Sequence, residues 1–302
     1  MENEAHRKHP ILAKLKHLFS QMLKSRLFMQ NLLFIGGVML LLFFAFAIIT
    51  YNRSARILRE EFASSSENQL EMTAQSVDTY MKDMRYLIAT LDQNSLVQAF
   101  FSYRSPEYFY NEYETRLREL LSSCANSDST IDSIYLYSEL TGQVMTANYT
   151  ISASNLTDNG WMDYLTEDAM SERIIIFPRS KNTKYPYLLC MMKPLERSGK
   201  KAAIVLNLNL SKVSYLRDVN SDPYREIFLV TDNKDVLYSF NQRDLLVPLD
   251  RFSRLNGLQD TSAICSTVVS DVDEPYILTQ LHSADYPWYY VSITNLAVYR
   301  AY

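Results

Sequence analysis

The side chains able to do bond-making chemistry are few and scattered. Beyond residue 50 the only histidine is His282, so neither a His-based catalytic triad nor a His metal cluster can be assembled there. No HExxH, Walker-type, GxGxxG or CxxC pattern occurs. Cys124, Cys190 and Cys265 are far apart and odd in number, so at least one stays unpaired. Cys190 and Cys265 fall in strand-like runs and read as small buried hydrophobes. Asp and Glu total 34, enough for carboxylate pairs to arise by chance, so a glycosidase-like hydrolase stays formally open with nothing pointing to it. Glycine is scarce, at 6 residues, which leaves few loops for cradling phosphate, whereas tyrosine reaches 22. Tyrosine offers a flat apolar face and a polar tip, which suits recognition surfaces and half-buried strands equally. The chemistry on offer is therefore binding, with no metal, cofactor or enzymatic role indicated.

The elements that position these residues begin with an apolar run. Leu32 to Ile49 is 18 residues without a charge or a strongly polar side chain. As a helix, a run of 18 to 21 residues spans about 27–31 Å, the thickness of a bilayer's hydrocarbon core. Ala45-Phe46-Ala47 has the small-x-small form of a signal-peptide cleavage site, but the polar region before the run and the run itself are long for one. Residues 31–51 are therefore expected to form a transmembrane helix. Residues 1–30 carry Arg7, Lys8, Lys14, Lys16, Lys24 and Arg26 against Glu2 and Glu4, a net of +4. The whole chain is −4, which leaves −8 for residues 31–302. By the positive-inside rule residues 1–30 are the cytoplasmic segment and residues 52–302 are extracytoplasmic. Within that segment, residues 11–23 place Ile11, Leu12, Leu15, Leu18, Phe19, Met22 and Leu23 at helical spacing. That suits an amphipathic helix on anionic lipid, or equally a plain anchor.

Past Tyr51 the sequence reads as a long stalk helix over residues 52–104, with no Gly or Pro from Arg53 to Ser102. Leu70, Ala74, Val77, Met81, Met84, Ile88 and Leu91 recur with 4-3-4-3 spacing. Such a stripe must be buried, either against the chain's own domain or, in a homodimer, against a second copy. Ser105-Pro106-Glu107 is a helix start, and the helix it opens is expected to run to about Ala125. Strands then dominate: Ile131–Tyr137, Val144–Ala147, Arg173–Phe177, Tyr187–Met192 and Ala202–Leu208, with a short helix expected over Trp161–Met170. After a connecting helix at Ser211–Leu216 a shorter version follows, with strands at Ile227–Thr231, Val236–Phe240, Ala263–Val269, Tyr276–Leu281 and Tyr289–Ile293. The fold class is α+β, two antiparallel-sheet modules in tandem after a membrane helix and a stalk.

Gly160-Trp161-Met162, Met192-Lys193-Pro194, Lys200–Val213, Ile227–Ser239 and Trp288–Ile293 carry a family resemblance in their order and spacing. The layout resembles the double Cache ectodomains of bacterial transmembrane receptors, above all those of AraC-type regulators and related sensor histidine kinases. The resemblance implies two PAS-like modules, membrane-distal over residues 105–216 and membrane-proximal over 217–295, with 296–302 turning back toward the membrane. It implies the input half of a receptor, its output domain truncated or encoded apart, with no nucleic-acid contact in this chain. It also implies a small extracellular ligand in the distal module, between the sheet and its covering loops. The residues it implies there are Tyr135, Tyr137, Trp161, Tyr164, Arg179, Tyr187 and Lys193. Amino-acid-binding members carry an Arg shortly before the Trp and an acid for the ligand's amine. Here Asn155–Gly160 has no Arg, and Asn207 and Asn209 stand on the late strand. A sugar or organic acid is therefore expected ahead of an amino acid. The rival from another class is an anchored, non-signalling domain for a partner protein or cell-wall polymer.

Overall fold

The computed structural model describes residues 26–103, 113–171, 173–181, 185–213, 225–239, 255, 258–259, 261, 263–269 and 275–296. The basic segment before residue 26, the Ser105-Pro106 helix start, most of the expected 211–216 helix and the last six residues lie outside them. The chain divides into two compact units, Met1–Phe62 and Ala63–Tyr302.

Helix α1 spans Arg26–Gln93. Its N-terminal part contains a window of mean hydropathy 2.9 in which no residue is buried. Leu32 to Ile49 turn apolar side chains outward on every face, and Phe34, Leu41 and Phe43 are at least 70% exposed. Among the described residues one helix is thus long and apolar enough to cross a membrane.

In the second unit the heptad stripe of α1 is the spine of the core. Leu70, Ala74, Val77, Met81, Met84, Ile88 and Leu91 are all buried, and all belong to one apolar cluster with residues of both sheets. The stripe is spent inside the chain, the first of the two alternatives its spacing leaves open. The stalk also ends earlier than its lack of Gly and Pro suggests. Asn94 adopts an extended conformation, and its side-chain Oδ1 accepts the Leu96 amide at 2.9 Å, capping a separate helix α2, Ser95–Ser102. Helix α3, Glu114–Ser127, buries Leu117 and Leu121 in the same core.

The first sheet comprises β1 (Ile131–Ser138), β2 (Gln143–Met145), β3 (Thr150–Ser152), β4 (Ile175–Lys181), β5 (Tyr185–Arg197) and β6 (Lys200–Leu208). Its order is β3-β2-β1-β6-β5-β4, antiparallel throughout. A two-residue turn joins β5 to β6, with Ser198 at φ 54° and Gly199 at φ 73°, the left-handed pair whose twist matches a hairpin. The expected Trp161–Met170 helix is instead two 3₁₀ turns, Met162–Tyr164 and Asp168–Ser171, within a segment of residues 153–171 that lies over one sheet face.

The second sheet comprises β7 (Arg225–Thr231), β8 (Val236–Tyr238), β9 (Cys265–Val269), β10 (Tyr276–His282) and β11 (Trp288–Asn295), in the order β8-β7-β11-β10-β9. Alternation along β11 sends Trp288 and Tyr290 to the shared core with α1, and Val291 and Ile293 to a separate cluster with Phe228 and Leu278. Cys190 is fully buried as expected, whereas Cys265 is only partly so, because β9 is an edge strand.

Candidate functional site

Strand register builds the site. From Ser133 onward in β1, past an irregularity after Ile131, odd-numbered residues of β1, β4 and β6 and even-numbered residues of β5 face away from α1. Ser133, Asn207, Cys190 and Phe177 are consecutive cross-strand partners and form one row over four strands. Tyr135, Val205, Met192 and Ile175 form the next. The 153–171 segment covers these rows with Leu156, Trp161 and Leu165.

Trp161 enters from the turn in which the Met162 amide donates to the Asn159 carbonyl at 2.8 Å. Its ring is completely buried, with Tyr137 edge-on at 5.6 Å and Tyr135 tilted at 6.3 Å between centroids. Among the described residues its indole Nε1–H has no hydrogen-bond acceptor, and a buried donor left unpaired costs about 1–3 kcal/mol. Tyr164 is partly exposed and stacks on Phe177 at 3.6 Å, an aromatic edge to the cover.

The polar centre is Arg179, buried on β4. Its Nη1 and Nη2 donate to Asp158 Oδ1 and Oδ2 at 2.5 and 2.8 Å. Nε and Nη2 also donate to Asn207 Oδ1 at 3.1 and 2.9 Å. Asn207 in turn donates from Nδ2 to Ser133 Oγ at 3.0 Å, and Tyr135 donates its hydroxyl to Asp158 Oδ2 at 2.7 Å. Burial works against the Arg179 charge, but the Asp158 hydrogen bonds and charge outweigh it and hold the guanidinium pKa above its ordinary value. Burial first, and the bond to Asp158 second, push the Tyr135 phenol upward. Burial drives the Cys190 thiol up to about 12, so it is a neutral, unreactive wall. Among the described residues no group of three or more His, Cys, Asp and Glu side chains could hold a metal ion. The arrangement offers paired charges and aromatic faces to a small polar molecule, and among the described residues it holds no nucleophile paired with a base.

The structure thus brings Tyr135, Tyr137, Trp161, Tyr164 and Arg179 to one face of the first sheet. Lys193 lies on the other face, because β5 alternates, and pairs with Asp92 of α1 at 2.6 Å. Tyr187 lies on β5, but its side chain is outside the described residues. Sequence reading missed Asp158, although it stands three residues before Trp161. The resemblance places an arginine in that stretch, and the cation arrives instead from β4.

Two PAS-like antiparallel sheets in tandem behind a long helix, with an aromatic and charged site in the first, define a ligand-binding sensor domain. The chain belongs to the Cache domain family in its double form, which matches residues 54–300. No curated protein sequence matches it. Among solved structures it is similar to the ligand-binding domain of the Pseudomonas aeruginosa amino-acid chemoreceptor PctB in complex with L-Arg. That match has a TM-score of 0.59 and 16% identity, covering 80% of this chain and 99% of that one. It is also similar to the Pseudomonas fluorescens chemoreceptor CtaA domain with L-isoleucine, at TM-score 0.58 and 14% identity, covering 82% and 97%. The Campylobacter jejuni chemoreceptor Tlp3 domain with 4-methylisoleucine gives TM-score 0.58 and 13% identity, covering 79% and 92%. At these identities the likeness carries the fold.

These relatives overturn the ranking of sugars and organic acids ahead of amino acids, because the solved domains of this fold hold amino acids. The ground for that ranking fails too, since an acid and an arginine do meet beside Trp161, from other positions than those the resemblance implies. The relatives are chemoreceptors, so the family is carried at the level of the Cache domain and not to AraC-type regulators.

Proposed function

We propose that this chain is the extracytoplasmic sensing half of a membrane-anchored receptor, and that its first sheet takes a small ligand of the amino-acid type. The observation that carries this reading is the buried face on which Arg179 and Asp158 lie beside Trp161, whose N–H has no acceptor among the described residues. A ligand carboxylate suits Arg179 and the indole N–H, an ammonium suits Asp158, and Tyr135 and Tyr137 supply flat apolar contacts. That solved relatives of the same fold hold amino acids supports the same class. The apolar run of α1 serves as the anchor, with the basic segment before it in the cytoplasm and the double sheet outside. Ligand binding then favours one of two pre-existing arrangements of the sheets against α1, with a coupling of about 1–3 kcal/mol.

The test is thermal denaturation of the full chain in lipid nanodiscs against a library of amino acids, with sugars, organic acids and peptides alongside. A ligand of the folded state adds stability as RT ln(1 + [L]/Kd), about 2.7 kcal/mol at a hundred times Kd. An amino acid should raise the melting temperature of the wild type, and Trp161→Ala should abolish the shift. A flat response to every amino acid would refute the reading.

A further inference from the structure

Asp78 of α1 is gripped by the second sheet from two directions. Tyr290 of β11 donates its hydroxyl to Oδ1 at 2.6 Å. Ser283, at the start of the turn from β10 to β11, stands 3.0 Å from both Oδ1 and Oδ2 and divides one proton between them. On its other side Ser283 Oγ accepts the amides of Asp285 and Tyr286 at 3.3 and 3.2 Å. A single carboxylate thus ties that turn to α1. The titratable and charged groups around it are Tyr290 from β11, Asp285 and Tyr286 from the turn, and Arg85 and Lys82 from α1. Arg85 lies 4.7 Å over the Tyr286 ring, and Lys82 is exposed. Among the described residues the partners of Asp78 are hydroxyls alone, with no cation paired to it.

A half-buried carboxylate held by neutral donors gives up its charge more readily than an exposed one, and the Asp285 carboxylate on the turn adds repulsion. The two hydroxyl partners oppose both effects without cancelling them. We infer that Asp78 is a proton-operated clasp between α1 and the β10–β11 turn, by which the second sheet reads the acidity of its surroundings. This goes beyond the proposed function and needs no ligand. Ionised, Asp78 repels Asp285 on the very turn it holds. The proton it takes up adds at Oδ2, while Tyr290 and Ser283 both keep Oδ1 as their acceptor. The repulsion then ends and the turn stays bonded to the helix. Docking of the turn on α1 is therefore tightest below the raised pKa and loosens as pH rises through it. The helix so gripped is the one whose N-terminal part carries the apolar run.

The chain has two tryptophans, Trp161 and Trp288, and Trp288 stacks on Tyr286 of the turn at 4.6 Å. The experiment follows Trp288 emission against pH in the full chain in nanodiscs, with Trp161→Phe as the background. Emission should titrate with a midpoint above 3.8, the ordinary value for this carboxyl. Asp285→Asn should lower the midpoint, because a like charge is gone, and Tyr290→Phe should raise it, because a donor to the ion is gone. Asp78→Asn should leave emission flat. A titration that survives Asp78→Asn, or a background protein that shows none, would overturn the clasp. If Asp78→Asn does not fold, the opposite shifts of the other two variants carry the test, and a midpoint unmoved by both overturns it. In the unmutated chain, hydrogen exchange over residues 283–290, corrected for the intrinsic pH dependence of exchange, should show protection falling as pH rises. Protection that stays constant would overturn the tightening of the turn.

Discussion

Trp161 and Asp78 each make a prediction. Trp161 buries an indole N–H that no described residue accepts. Trp161→Phe keeps an aromatic ring and removes that donor. It should weaken binding of the amino acid found by thermal denaturation by about tenfold, read by calorimetry, because a bond to a charged acceptor is lost. Unchanged affinity would detach the indole from the ligand. Asp78, on α1, accepts the Tyr290 hydroxyl at 2.6 Å and the Ser283 hydroxyl at 3.0 Å, with Asp285 nearby. Its half-burial raises its pKa above the ordinary 3.8, against the lowering effect of those two bonds. A carboxyl with a raised folded pKa binds more protons folded than unfolded, so its contribution to stability falls as pH rises from about 3.8 through the raised value. Asp78→Asn does not titrate. Its stability relative to wild type should therefore climb over that pH range in urea melts, and a difference independent of pH would contradict the assignment.

Among the elements, the β5–β6 hairpin depends on its turn. Gly199 sits at φ 73°, and a Cβ added there would meet nothing within 4 Å. Any loss in Gly199→Ala is then conformational, not steric. A left-handed alanine costs about 1–2 kcal/mol, to be read as a lower urea midpoint with unchanged slope. A variant as stable as wild type would mean the turn relaxes to another form. The hairpin matters to the site because β5 and β6 carry Cys190 and Asn207 in register beneath Arg179. Its other face carries Lys193 and Arg197, which reach Asp92 near the end of α1 at 2.6 and 3.1 Å. One hairpin thus floors the site on one face and grips the helix on the other.

At the scale of the whole molecule, α1 unites the two sheets in one core. Met81 is fully buried in the cluster that also contains Leu206 of the first sheet and Trp288 and Tyr290 of the second. Met81→Ala should cost about 2–5 kcal/mol and lower one shared unfolding transition. Two separated transitions, with only one displaced, would show that the sheets fold independently. The same helix also makes a polar contact with the second sheet, where Ser66 Oγ meets Thr279 Oγ1 at 2.9 Å.

Sequence alone determined whatever follows from local periodicity. The apolar run, the heptad stripe of α1 and strands such as Ile131–Ser138 and Trp288–Asn295 were legible because a period of 3.6 or 2 is written in consecutive residues. Trp161 with Tyr135 and Tyr137 was legible as an aromatic set once the family's order of elements was recognised. What the stripe packs against was not legible, since the same spacing serves a second copy or the chain's own sheets. The break at Asn94 escaped notice because it needs one side-chain cap and neither Gly nor Pro. The Trp161–Met170 segment carries helix-compatible residues, yet tertiary packing over the sheet holds it in 3₁₀ turns. The Asp158–Arg179–Asn207 centre was decided by tertiary structure alone. Its members come from a covering segment and two non-neighbouring strands, and only register brings them within hydrogen-bonding distance. Lys193 lies apart from the other expected site residues for the matching reason: adjacent positions on a strand face opposite ways, and one step along β5 takes a side chain from the Arg179 face to the helix.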